Sequence, residues 1–244
     1  MNHPELPLLA FDTATDHMSV ALQVRGQVWT HEGPGGAQAS ATLIPAILAL
    51  LAQAQWRLQD LAAIAFGRGP GAFTGLRTAC SVAQGLAFGA GLPVLPIDSL
   101  GAVAEDARLG HEAQEIWVAM DARMAEIYAA CYVFDGASWK TTVAPALMPP
   151  AALNALWQAM PPQTVAGSAL GVFGGQLKTG AARLVPSALP RGRGMLPLAQ
   201  QLWMSGGAVA PALALPLYLR DKVAQTTLER EQTRLAREAE VAKP

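Results

Sequence analysis

The sequence predicts an α/β protein in which one strand-and-helix unit occurs twice, giving two similar lobes that face a cleft. Three observations predict it. Apolar strand-like runs alternate with helical periods along most of the chain. Two stretches, LLAFDTATDHMSVALQV and WVAMDARMAEIYAACYV, both read apolar strand, aspartate, short polar turn, apolar strand, so that Asp12 aligns with Asp121 if the first turn is two residues longer. The length, 244 residues, suits one large or two small domains. A compact chain of that size buries roughly 70–75% of its unfolded surface, enough for a core without disulfides.

In the first unit, LPLLAFDTAT and HMSVALQVRGQVWTHE supply three strands. The second alternates around Met18, Val20, Leu22 and Val24, and Arg25-Gly26 turns it into the third. Residues 39–56 have a helical period that puts Leu43, Ile47, Leu50, Leu51 and Ala54 on one face. Pro45 sits inside that pattern, so the helix either begins near Ile44, where proline is tolerated, or is kinked there. LAAIAFG is a short buried strand, residues 73–89 a helix, LPVLPID a strand and residues 99–109 a helix. The second unit opens with IWVAMDARMAEIYAACYVFDG as strand, turn and strand, to which SWKTTVA adds a third. QTVAGSAL is a strand with a glycine turn, AARLVP a weak strand and 195–205 a helix. The expected division is residues 1–110 for the first lobe, carrying the docking helices, and 111–224 for the second. From Gln225 the last twenty residues hold eight charges of mixed sign, a frayed helix or a disordered tail. A doubled βββαβαβα-type unit with an aspartate ending the first strand of each half is the plan of the two-lobed actin-like fold, shared by sugar kinases and actin ATPases. There the two strand-ending turns grip nucleotide phosphates, although a fold alone assigns no function.

Hydrophobic residues make up 52% of the chain and charged ones 14%, with a net charge of −1. So apolar a composition means either a large surface kept for a partner or an alanine-rich genome. No run reaches the eighteen or so apolar residues of a membrane span, because glycine, proline and polar residues interrupt each candidate. Without a basic patch in the body of the chain, strong direct binding of nucleic acid is not supported. Cys80 and Cys131 have no metal or redox spacing, and the start MNHPELPLLAFD lacks the plan of a signal peptide. The expectation is a cytoplasmic protein with reduced thiols.

The stretch GRGPGAFTGLR, Gly67 to Arg77, lies between a strand and a helix, where many proteins hold a phosphate. It fails the phosphate-loop test, because Leu76 and Arg77 follow Gly75 where lysine and a hydroxyl are needed. It fails the dinucleotide fingerprint too, having proline and glycine inside the motif and no acidic residue after the next strand until Asp98. In the following helix Gly75, Ala79, Ala83 and Ala87 fall at i, i+4, i+8 and i+12, with Leu76 and Cys80 beside them. This small-residue face serves either close packing on the chain's own sheet or docking of a partner helix. His3, His17, His31 and His111 form no i, i+4 metal pair, and no G-x-S-x-G nucleophile turn occurs. Asp12 and Asp121 either bind a magnesium–phosphate group, with Thr13 and Thr15 as hydroxyl donors, or cap turns, which the lack of a glycine in that first turn favours.

Five segments, AFDTATDHMSVAL, GRGPGAFTGLR, AQGLAFGAGLPVLPIDSL, MDARMAEIYAACY and PLYLRDKVA, occur in an order and spacing that resembles the TsaB (YeaZ) family over roughly residues 6 to 224. The resemblance implies an actin-like fold and a non-catalytic role in making threonylcarbamoyladenosine in tRNA. It implies pairing with a TsaD-like subunit that carries the metal and the transferase site, joined by a TsaE-like ATPase. ATP and the metal ion then sit in those partners, no cofactor is assigned to this chain, and tRNA is met only through the complex. TsaD's H-x-x-x-H is absent from this sequence. The family pairs through its first two helices, which here are 39–56 and 73–89. The interface implied is Leu43, Ile47, Leu50, Arg68, Phe73, Thr74, Leu76, Arg77, Ala79, Cys80, Ala83 and Ala87, and the same face permits self-pairing when TsaD is missing. The vestigial nucleotide cleft implied is Asp12, Thr13, Thr15 and Asp121. One departure is Ala39, in QASATLIP, where the family usually has histidine. The competing readings are a stand-alone glycoprotease-like hydrolase and a small-molecule kinase of the actin-like superfamily.

Overall fold

A computed structural model describes residues 6–109 and 113–220. The first unit contains β1 (Leu8–Asp12), β2 (His17–Val24), β3 (Gln27–Pro34), α1 (Ala39–Gln53), β4 (Ala63–Gly69), α2 (Phe73–Ala90), β5 (Val94–Asp98) and α3 (Ser99–Leu109). The second contains β6 (Glu115–Asp121), β7 (Ile127–Phe134), β8 (Trp139–Met148), α4 (Pro150–Ala159), β9 (Thr164–Ala166), α5 (Ala169–Phe173), β10 (Arg183–Val185) and α6 (Gly192–Met204). The sheets run β3-β2-β1-β4-β5 and β8-β7-β6-β9-β10. In each the first three strands are antiparallel neighbours and the last two join in parallel. The two halves thus repeat one βββαβαβα topology, the actin-like plan. Asp12 pairs with Ser19 and Asp121 with Ile127, so the first turn spans residues 13–18 and the second 122–126, a difference of one residue rather than two.

Alternation along the strands sets the layers. Leu9 and Phe11 of β1 join Ile64 and Phe66 of β4 beneath α1 and α2, while Leu8, Ala10, Ala63 and Ala65 face the other way. Trp117, Ala119, Ile127 and Ala129 lie beneath α4 and α5, and Ile116, Val118 and Met120 face α3. The third helices are exchanged. Leu100, Val103, Ala104 and Ala107 of α3 follow the first sheet in sequence but pack on the second. Met195, Leu196 and Ala199 of α6 follow the second sheet and pack on the first. The lobes therefore do not divide at residue 110 as the sequence suggests, because α6 completes the first core. Between the sheets α3 and α6 meet closely, and a Cβ on Gly194 would come within 3.1 Å of the Ala102 carbonyl.

Several local expectations change. Helix α1 runs unbroken from Ala39 through Pro45, so a start near Ile44 is excluded. The hairpin at Arg25-Gly26 has positive φ at both residues, as a type I′ turn requires. Helices α4 and α5 are additions to the sequence reading, which assigns no helix between residues 110 and 194, although Pro150 in a first turn, followed by Leu153 and Trp157 on one face, signals α4. Helix α6 begins three residues before the expected 195. The segment Gly36–Gln53 has the length and mean hydropathy, 1.4, of a membrane-crossing helix, against the reading that no run is apolar enough. In this fold Leu43, Ile47, Leu50 and Leu51 of that segment are buried in the first core. The charged tail from Gln225 lies outside the described residues.

Candidate functional site

The glycine loop clasps the turn that follows β1. A Cβ on Gly75 would fall inside contact distance of the Thr13 carbonyl, with that carbonyl's carbon 2.8 Å away. A Cβ on Gly71 would lie 2.5 Å from the Ala14 carbonyl oxygen, and one on Gly67 would overlap the Asp12 carboxylate. Thr13, wholly buried, donates its hydroxyl to the Gly75 carbonyl at 2.7 Å. Gly67, Gly71 and Gly75 thus leave spaces that the backbone and carboxylate of the neighbouring turn fill, while Gly69 adopts a φ of 109° that favours glycine.

Asp12 is spent inside this clasp. Its carboxylate accepts from the Ala14 N–H at 2.6 Å and the Ser99 hydroxyl at 2.5 Å, and Ser99 Oγ accepts the Gly69 N–H at 3.2 Å. Burial raises the Asp12 pKa to about 6, against the opposing pull of these hydrogen bonds. Asp121, at the matching place in the second lobe, accepts from the Arg123 N–H at 2.9 Å, while its own N–H bonds Ser168 Oγ at 3.0 Å. Of the four residues assigned to a vestigial nucleotide cleft, Thr15 and Asp121 line the space between the lobes. Asp12 and Thr13 do not, because the glycine loop covers them.

That space has a volume of about 670 Å³, with Leu100, Val103, Met120 and Tyr128 among its apolar lining. Each lining arginine already has a carboxylate partner. Arg123 bonds Asp16 at 2.9 Å across the two turns, Arg220 pairs with Glu126 at 2.7 Å, and Arg191 pairs with Asp106. Among the described residues, no arginine lining this space is without a carboxylate partner. Arg123, Met124 and Ala125 all adopt left-handed backbone, with φ of 62°, 56° and 58°, an uncommon state for residues with a side chain. Arg220 supports that turn by donating to the carbonyls of Ala122 at 3.0 Å and Arg123 at 3.3 Å.

Most of the residues expected at the docking face lie in the chain's own core. Ala79, Ala83 and Ala87, with Leu76 and Cys80, are buried in α2. The three alanines and Cys80 pack in the core formed by the chain's own first sheet and α1. Leu43, Ile47 and Leu50 of α1 lie in the same core. Small side chains let α2 approach its own strand β4, and the periodicity that marks a close contact does not say whose. The charge of Arg68 acts on Asp98 and Tyr132, and its Nε is buried without a hydrogen-bond partner. Phe73, Thr74 and Arg77 do remain at the surface. Phe73 stacks on Tyr218 with centroids 4.7 Å apart, and Arg77 Nε donates to the Tyr218 hydroxyl at 3.3 Å.

The outward faces of the same two helices carry the apolar surface that sequence reading missed. Ile44 and Leu48 of α1 are 42% and 55% exposed, and Phe88 of α2 is 83% exposed. Gly85 and Gly89 beside it have open space where a side chain would be. The signal was present: α1 has no charged residue, and a helix apolar all round needs cover on both sides.

Comparison with known proteins agrees with this architecture. The family model for TsaD, tRNA N6-adenosine threonylcarbamoyltransferase, matches residues 27–230. The tRNA threonylcarbamoyladenosine biosynthesis protein TsaB of Haemophilus influenzae is 35% identical over 89% of this chain and 95% of its own. The TsaB of Escherichia coli is 35% identical over 89% of this chain and 96% of its own. The solved structure of YeaZ from Pseudomonas aeruginosa superposes with a TM-score of 0.81 at 36% identity, covering 88% of this chain and all of that one. With fold, repeat and near full-length similarity in agreement, the chain belongs to the TsaB (YeaZ) family.

Proposed function

We propose that this chain is the non-catalytic docking subunit of the assembly that transfers threonylcarbamoyl to the adenosine beside the anticodon of tRNA. In this reading it pairs with a TsaD-like catalytic subunit and with a TsaE-like ATPase. ATP and the metal ion belong to those partners, and tRNA is reached only through the complex. The observation that carries the reading is the apolar outward surface of α1 and α2, where Ile44, Leu48 and Phe88 stand in solvent and Arg77 is the one charged residue of the two helices. Apolar side chains clustered in this way mark a protein contact. The names of the TsaB relatives support the pathway, and the cleft, whose arginines are all paired, gives no support to a kinase.

The test is co-purification with a TsaD homologue, comparing the native chain with Leu48→Arg, together with a tRNA modification assay. Leu48→Arg should fold normally, because the side chain is exposed, and should lose both pairing and modification. Modification that proceeds equally well without this chain would overturn the proposal.

A further inference from the structure

The segment after α6 runs back along α2 in the opposite direction. Val209 pairs with Val94, just beyond the C-terminal end of α2, and the Ala214 carbonyl accepts from Cys80 Sγ at 3.2 Å and Gln84 Nε2 at 3.0 Å. Tyr218 then stacks on Phe73 in the first turn of the helix. Leu217 N–H bonds the Arg68 carbonyl at 2.6 Å, and Arg220 anchors the end. Residues 209–218 therefore form a strap along one flank of α2. Ala214 is fully buried, whereas its neighbours Leu213 and Leu215 are 65% and 67% exposed and Tyr218 is 40% exposed.

Ile44, Leu48, Phe88, Leu213, Leu215 and Tyr218 are six of the thirteen large apolar side chains found exposed among the described residues. All six belong to α1, α2 or the strap beside it. Residues 205–219 and helix α1 contain no charge, and α2 contains only Arg77. Arg77 has no carboxylate within ion-pair distance among the described residues; its guanidinium lies 5.8 Å from the centroid of the Phe73 ring and donates to the strap's Tyr218. A cation without a carboxylate partner, on a surface whose other side chains carry no charge, specifies what should face it.

We propose that the strap is the second half of the docking surface. The TsaD-like subunit that covers α1 and α2 also covers Leu213, Leu215 and Tyr218, and sets a carboxylate against Arg77. This rests on the function proposed above. The strap is continuous with the helical face through its bonds to α2, so a partner wide enough to cover two helices meets it next. The charge argument selects that partner's local chemistry: apolar side chains over the two leucines and an acidic side chain at the N-terminal end of α2.

The experiment measures the dissociation constant for a TsaD homologue by calorimetry at two salt concentrations. The chains compared are the native one, Leu213→Ser/Leu215→Ser, Arg77→Glu and Leu48→Arg. Each altered side chain is exposed, so thermal midpoints should stay close to the native value. The leucine pair should weaken binding about tenfold or more. Arg77→Glu should do likewise and should abolish the loss of affinity that the native chain shows on adding salt. If Leu48→Arg breaks pairing while both other variants bind within about twofold of the native chain, the strap lies outside the interface and this inference fails, with the function left standing. If Leu48→Arg itself binds normally, the function proposed above fails.

Discussion

Replacing Gly75 by alanine tests the clasp between the glycine loop and the first turn. The residue is inside α2, so alanine gains about 1 kcal/mol of helix propensity. Against this, the new methyl group would meet the Thr13 carbonyl, whose carbon lies 2.8 Å away, whereas real Cβ atoms essentially never come closer than 3.0 Å. The obstacle is backbone and cannot rotate aside. It is fixed by the Thr13 hydroxyl on Gly75, by the Ala14 N–H on Asp12 and by Gly71 beneath Ala14. Overpacking costs about 1–3 kcal/mol where side chains can adjust, and more where they cannot, so the net loss should be about 2 kcal/mol or greater. For a chain of this length that lowers the thermal midpoint by about 4–8 °C. Gly85→Ala and Gly89→Ala on the outward face of the same helix meet nothing within 4 Å and should gain about 0.5–1 kcal/mol. Urea unfolding of the three variants reads opposite signs for one chemical change. Gly75→Ala as stable as the native chain, or Gly85→Ala as damaging as Gly75→Ala, would refute the reasoning.

Two further expectations follow from buried charge. Asp12 titrates near 6 when folded and near 3.8 when unfolded, so between those values the folded chain holds a proton that the unfolded chain has released. Stability should therefore fall as pH rises through that window, by about 3 kcal/mol in full from this group; in Asp12→Asn that contribution vanishes, and urea unfolding at pH 4.5, 5.5 and 6.5 should show the variant gaining on the native chain. Arg220→Ala removes the donors to the Ala122 and Arg123 carbonyls and the partner of Glu126, at a cost of about 1–3 kcal/mol. Its hydrogen exchange should quicken at the Glu126 amide, which bonds the Arg123 carbonyl inside the left-handed turn; unchanged exchange there would count against the supporting role of Arg220.

What could be read from the residues was whatever depends on local pattern. The strands around Asp12 and Asp121 announced themselves by alternation and by their shared aspartate, and the doubled topology followed. The exchange of α3 and α6 was not legible, because the apolar face of a helix does not record which sheet it covers. The small-residue face of α2 has the same ambiguity. Ala79, Ala83 and Ala87 promise a close neighbour, and that neighbour is the chain's own sheet. Ile44 and Leu48, spaced i, i+4 on a helix without charge, were the better guide, since an apolar residue opposite a core face has no internal use. The strap was invisible because its contacts with α2, through the Ala214 carbonyl and the Tyr218 side chain, join residues 130 or more positions apart.

The crossing of the third helices has a consequence for synthesis. When a ribosome has completed residue 185, both sheets exist as polypeptide, yet Leu8, Ala10, Ala63 and Ala65 on the back of the first still await Met195, Leu196 and Ala199. The N-terminal half cannot finish on the way out of the exit tunnel, as independently stable domains do. A chain halted before α6 should therefore leave that greasy back open to chaperones and proteases, and a nonsense mutation late in the gene should be as damaging as an early one.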